Sequence, residues 1–227
     1  MTTANAFVPF TYPINRRHWC RALALIACAC STTLAVERYV SPTGNDAADG
    51  ATLATAFASI QRGVNASAAG DTVWVRAGTY REQVTVTKKG TASAPVVIAA
   101  YRDERPVMKG SITVDGWTPH SGAVWKKIGW TTNSQQVFIN GSPLQQIGLP
   151  ASHYSGKAAD GSVMYTPVGT GLADLRPGSF YCDRVAQVLY LWLSNGSDPN
   201  ATMVEVSVKP KLLAMDQAEH VVVKDIA

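Results

Sequence analysis

The sequence predicts an all-β chain whose short strands stack in parallel as a solenoid, a β-helix with a helix near its start and a β-rich insertion. Three observations lead there. Val73 and Val75, Val84 and Val86, Val96 to Ile98, and Val107-Met108 form strand-like runs bounded by Gly, Pro or Lys-Gly. Their centres fall near residues 74, 85, 97 and 108, so every second run recurs after about 23 residues. The intervening turns are too short for a crossover helix, which leaves solenoid coiling as the way to pair such strands in parallel.

Composition agrees and narrows the function. Of 227 residues, 46% are hydrophobic and 16% are charged, against roughly 25% charged in an average soluble domain. That excludes a disordered tail and suits strands and turns. The formal net charge is +4, from 20 Lys plus Arg and 16 Asp plus Glu. Arg16, Arg17 and Arg21 lie in the first 35 residues, which hold no acid, so the remainder carries 17 basic groups against 16 acidic ones. A balance of +1 gives no electrostatic footprint for nucleic acid, which is not expected as a partner.

Residues 1–35 read as an export signal. Three Arg precede the apolar run Ala22 to Cys30, and small residues follow at Thr33 and Ala35, so cleavage is expected between Ala35 and Val36. The run is shorter than the about 20 residues that span a bilayer, and no integral membrane segment is expected after its removal. Leu25-Ile26-Ala27-Cys28 also resembles the lipobox of bacterial lipoproteins, in which the Cys is acylated. An apolar run of only six residues would precede that Cys, so the expectation is a secreted or periplasmic protein, with a lipid anchor through Cys28 as the alternative.

Residues 36–115 are expected to hold the N-terminal cap and the first coils. Phe57, Ile60 and Val64 recur at helical spacing, so Thr55 to Ala68 reads as a short amphipathic helix placed to cover the open edge of the first coil. Residues 116–209 break the period and read as the β-rich insertion. Val137-Phe138-Ile139 leads into Asn140-Gly141, which suits a type I′ hairpin, and a second strand pair runs from Phe180 to Asp183 and from Val188 to Leu193. Alternation at Val204, Val206 and Val208 reads as the solenoid's return, and residues 210–227 begin further coils at Leu212-Leu213 and Val221 to Val223. Val221, Val223 and Ile226 would face a core with no following coil, forgoing about 5–9 kcal/mol at about 1.5–3 kcal/mol per side chain. The expectation is therefore the front part of a longer protein.

Chemistry is sparse along the chain. Cys20, Cys28 and Cys30 fall in the N-terminal stretch, leaving Cys182 without an intramolecular partner; its aromatic strand setting favours packing over a nucleophilic role. Asp46 and Asp49 read as turn residues rather than cation ligands, and His18, His120, His153 and His220 lack the paired spacing of a zinc site. No G-x-S-x-G elbow, H-E-x-x-H helix or Walker loop occurs. Lys88-Lys89, Lys126-Lys127, Lys209 and Lys211 could steer an acidic polymer, although Glu82, Asp103 and Glu205 balance them. Trp117, Trp125, Trp130 and Trp192 have two open uses, packing of the insertion or stacking on sugar rings. Asn65, Asn140, Asn195 and Asn200 match the glycosylation acceptor pattern, which turn chemistry also explains. Catalytic and substrate-binding residues stay unassigned, and no metal-ligand set is read.

Three segments carry a family resemblance: Tyr39-Val40-Ser41-Pro42-Thr43-Gly44-Asn45-Asp46, Phe57-Ala58-Ser59-Ile60-Gln61, and Gly70-Asp71-Thr72-Val73-Trp74-Val75-Arg76-Ala77-Gly78-Thr79-Tyr80-Arg81-Glu82. Together they resemble the N-terminal region of secreted right-handed parallel β-helix proteins, the pectate-lyase-like group that includes family 9 polysaccharide lyases. The likeness continues through Pro95 to Ile98 and Arg105-Pro106-Val107, and more loosely beyond residue 110. It implies a right-handed β-helix and an acidic polysaccharide as partner. It also implies, by kinship alone, β-elimination by a basic residue with calcium as helper. In the family those residues sit on later coils, so none is carried over here.

Overall fold

The computed structural model describes residues 34–148 and 168–227; residues 1–33 of the expected 1–35 signal, and His153, lie outside them. Strand β1 (Glu37–Val40) and helix α1 (Ile60–Ala66) precede the first coil, formed by β2 (Thr72–Val75), β3 (Gly78–Tyr80) and β4 (Val84–Val86). The second coil opens with β5 (Val96–Ala100) and β6 (Pro106–Met108). An insertion follows: β7 (Ser111–Thr113), β8 (Thr118–Ser121), β9 (Val124–Ile128), β10 (Val137–Ile139), β11 (Ser142–Pro143), β12 (Gln145–Gln146), β13 (Ser179–Asp183), β14 (Val188–Trp192) and β15 (Val204–Ser207). The chain then returns with β16 (Leu213–Met215) and β17 (Val221–Lys224).

The coils have three sides. One is the parallel sheet β1-β2-β5-β17, and the others are the parallel pairs β3-β6 and β4-β16. On the first side Val73 sits opposite Ile98, which sits opposite Val223, so branched side chains stack rung over rung into the interior. Val40, Val73, Val75, Val84 and Val86 are fully buried there, while Val221, Val223 and Ile226 pack partly buried against the same cluster.

The expected repeat of 74 onto 97 matches the β2-β5 pairing, in which Thr72 meets Val97. The parallel expectation of 85 onto 108 is corrected. Met108 stacks on Tyr80, and Thr85 stacks on Ala214. The insertion leaves the second coil after its second side, so the third side is completed only when the chain comes back.

The expected helix from Thr55 to Ala68 is also corrected, to Ile60–Ala66. Phe57 is extended: its amide donates to the Tyr39 carbonyl, and its own carbonyl accepts the Ser41 amide, both at 2.8 Å. Ser59 then caps the helix by accepting the Arg62 amide. Glu82 accepts the Ile60 and Gln61 amides, and the Gln61 side chain exchanges hydrogen bonds with the backbone of Thr85. These contacts explain why Phe57, Ser59, Gln61 and Glu82 occur together. They bolt α1, through buried Ile60 and Val64, onto β1, β2 and β4.

The insertion folds as two sheets face to face, β11-β10-β15-β7 and β12-β13-β14-β9-β8, over a shared core that includes Val137, Phe180, Leu189, Leu191, Val204 and Val206. Asn140 and Gly141 have φ of 48° and 84°, as the I′ hairpin between β10 and β11 requires. The alternation at Val204, Val206 and Val208 is not a solenoid strand: β15 runs antiparallel between β10 and β7. Alternation records one buried face and does not distinguish parallel from antiparallel partners.

Cys182 is buried at 9% exposure in this core and lies 3.5 Å from the Thr132 carbonyl. Burial pushes its thiol up from the ordinary range. A thiol reagent is therefore expected to label native protein at least tenfold more slowly than denatured protein, as mass spectrometry would measure. Equal rates would contradict the packing role.

Candidate functional site

A groove of about 1190 Å³ runs beside the insertion's sheets. Its walls come from the segment before β10, from the β11-β12 stretch, and from the chain leaving β15. Its polar groups include Gln135, Gln136, Gln145 and Gln146, joined by Ser207 and Lys209. Backbone geometry fixes this cluster. The Ser207 hydroxyl accepts the Gln135 and Gln136 amides, and the Ser134 hydroxyl donates to the Ser207 carbonyl, so the loop is tied to the end of β15. Gln135, Gln136 and Gln145 keep their side chains exposed, and Lys209 has no ion-pair partner among the described residues.

A second hollow of about 450 Å³ shares Gln136, Ser207 and Lys209 and extends to Lys109 and Glu205, at the junction of insertion and coils. Glu205 is 2% exposed. Burial opposes its ionisation, but hydrogen bonds and charge from Arg81 and Lys109 outweigh that and hold its carboxyl below the ordinary range. Arg81 also donates to the Ser111 carbonyl and hydroxyl. Both cations are thus committed to Glu205, and among the described residues no free acid-base pair lines the groove. Amide groups that donate and accept, plus one unpaired ammonium, are suited to sugar hydroxyls and a carboxylate.

A third feature lies outside the β1-β2-β5 sheet, where Tyr39, Trp74 and Tyr101 meet edge to face, with centroids 5.9 and 6.2 Å apart. Glu37 accepts the Tyr39 hydroxyl and the Trp74 indole N–H, fixing both rings beside a cleft of about 460 Å³.

The residues singled out from sequence resolve individually. The Asp46 carboxylate accepts the Ala58 and Ser59 amides and the Ser59 hydroxyl; burial would raise it, but these bonds prevail and lower it. Asp49 accepts the Ala51 amide in a turn. His120 packs edge-on against Tyr190, and the His220 carbonyl accepts the Val96 amide. Trp117, Trp125 and Trp130 pack in the insertion core, and Trp192 packs against a smaller cluster beside it. Lys88 donates to the Asn65 carbonyl, Lys89 pairs with Glu219, and Lys127 donates to the Asp115 carbonyl. Of the flagged lysines, Lys209 alone lines the groove. Its glutamine pairs were not singled out. Two Gln-Gln doublets at residues 135 and 145, flanking the hairpin signal, were the available clue.

Among the described residues no three His, Cys, Asp or Glu side chains converge as metal ligands. The calcium that the resemblance implies finds no matching donor set there. No described helix is long and apolar enough to cross a membrane.

A three-sided parallel coil bearing a two-sheet insertion, with a groove beside that insertion, places the chain among β-helix proteins. The profile of the family described as the Pel9A-like, right-handed β-helix region matches residues 38–161, more than half the chain, which belongs to that family. Pectate lyase PEL9 of Emericella nidulans is 44% identical over 79 residues, covering 34% of this chain and 19% of that protein. Uncharacterized protein YwoF of Bacillus subtilis is 38% identical over 72 residues, covering 32% and 15%. The matches thus span less than a fifth of either relative. A solved structure of XylC in complex with xylose superposes with a TM-score of 0.60 at 21% identity, over 83% of this chain and 34% of that one. A glycoside hydrolase superposes at 0.59 and 19% identity, over 85% and 50%. At those identities the likeness is one of fold.

Proposed function

We propose that this chain forms the first coils of an exported, pectate-lyase-like β-helix and engages an acidic polysaccharide in the glutamine-lined groove. In this reading α1 caps the solenoid, and Lys209 supplies the counter-charge for a uronate carboxylate. The observation that carries it is the groove itself: several exposed amide side chains and one ammonium without an ion-pair partner among the described residues, in a member of a pectate-lyase-like family. Family kinship supports β-elimination as the reaction of the complete protein.

The experiment is affinity electrophoresis of the full chain in gels holding polygalacturonate or a neutral glucan, beside an ultraviolet assay for unsaturated uronate products. Retardation is expected in polygalacturonate only. Replacing Lys209 and Gln136 with Ala is expected to weaken it about tenfold or more, since a charge-assisted hydrogen bond contributes about 1.5–3 kcal/mol. Retardation unaffected by the variant would reject this groove. A second reading, a carbohydrate-binding scaffold without turnover, is favoured by the commitment of Arg81 and Lys109 to Glu205. Binding without product would select it.

A further inference from the structure

Asp71 ends the turn after α1 and is 5% exposed. One carboxylate oxygen accepts the Val36 amide and the other the Ala68 amide, each at 2.8 Å. It has no cationic partner among the described residues. Two neutral amides place no opposite charge beside this carboxylate, and leaving water costs several kcal/mol per ion. The position of its partner is informative. The Val36 carbonyl accepts the Thr72 amide, so the solenoid's hydrogen bonding already includes this residue. Leu34, Ala35 and Val36 are all exposed, Leu34 at 84% and Val36 at 38%, but of the three only Val36 joins the backbone pairing of the first coil. The Ala35–Val36 bond is thus where exposed chain meets paired chain, and Thr33 and Ala35 supply the small side chains that a signal-processing enzyme accepts.

We propose that the chain is cut between Ala35 and Val36 and that the new α-ammonium of Val36 becomes the counter-ion of Asp71. In the cut, a signal peptidase adds water across the amide. The C–N bond breaks, Ala35 leaves as a carboxylate, and the freed Val36 nitrogen takes up a proton to become the ammonium. Its atom already lies 2.8 Å from the Asp71 oxygen, so a hydrogen bond with only its acceptor charged becomes an ion pair with little movement. Processing would then fasten β1 as well as release the chain.

This rests on the export reading, and the experiment separates the two. The full chain is expressed in an exporting host, and the mass and N-terminal residue of the exported protein are determined. The native product is then treated with a limiting amine-labelling reagent, as wild type and as Asp71→Asn. The expected result is a protein beginning at Val36 whose terminal amine labels about tenfold more slowly when native than when denatured. The Asp71→Asn protein should label at close to the denatured rate. A chain retained uncut overturns the proposal and the export reading together. A chain cut at another bond, or a Val36 amine labelled equally fast native and denatured, overturns the proposal alone. The native-to-denatured comparison needs no variant, so it holds even if Asp71→Asn fails to fold.

Discussion

Replacing Gly44 with Ala is expected to destabilise the coil region by about 3 kcal/mol or more, at the upper end for forcing extra volume into a packed site. A Cβ at this position would lie 2.3 Å from the Phe57 carbonyl oxygen and 2.5 Å from that of Ala56. Both obstacles are backbone, and both carbonyls are already engaged, Phe57 by the Ser41 amide and Ala56 by the Asn45 amide. Neither can retreat without releasing the bridge that seats α1. Thermal unfolding followed by circular dichroism should show a drop of about 6–12 °C, at roughly 2–4 °C per kcal/mol for a domain of this size. A melting temperature within 2 °C of wild type would contradict the close approach.

Replacing Glu205 with Gln is expected to cost about 2–3 kcal/mol. Breaking a buried ion pair costs about 3–5 kcal/mol, discounted here because Arg81 and Lys109 are 30% and 36% exposed and water screens what remains of them. The sign of the pH dependence follows from the lowered carboxyl. Its contribution is present above the unfolded value near 4.5 and is lost as pH falls through the lower folded value. Wild type should lose stability with acid faster than the variant does, so the two melting curves should converge as pH falls from the unfolded value through the lower folded one. Parallel curves at every pH would show that Glu205 acts through packing alone. A double-mutant cycle with Arg81→Ala would measure the pairing itself.

Much of the fold was legible because strand alternation and turn chemistry are local. The β2-β5 stack followed from spacing, and the β10-β11 hairpin from Asn140-Gly141. Strand β3 leaves no signal in the sequence because Gly78-Thr79-Tyr80 is too short to alternate, so the strand-like runs recur two to a coil where the structure has three sides. Partner choice was not local either: Thr85 and Ala214 look no more alike in sequence than Thr85 and Val107. The groove was the least legible feature. Gln136, Gln145 and Lys209 come from three separate stretches, and Ser207 binds the 135–136 backbone only once β15 lies beside β10.

The placement of the insertion also sets a timetable for synthesis. From Val84 to its partner Leu213 the chain runs 129 residues, against 25 from Thr72 to Val97. At about 5–20 residues per second, the edge of β4 waits roughly 6–26 s for the strand that covers it. The insertion has its own core and can mature during that interval, so the coil closes around a finished sandwich.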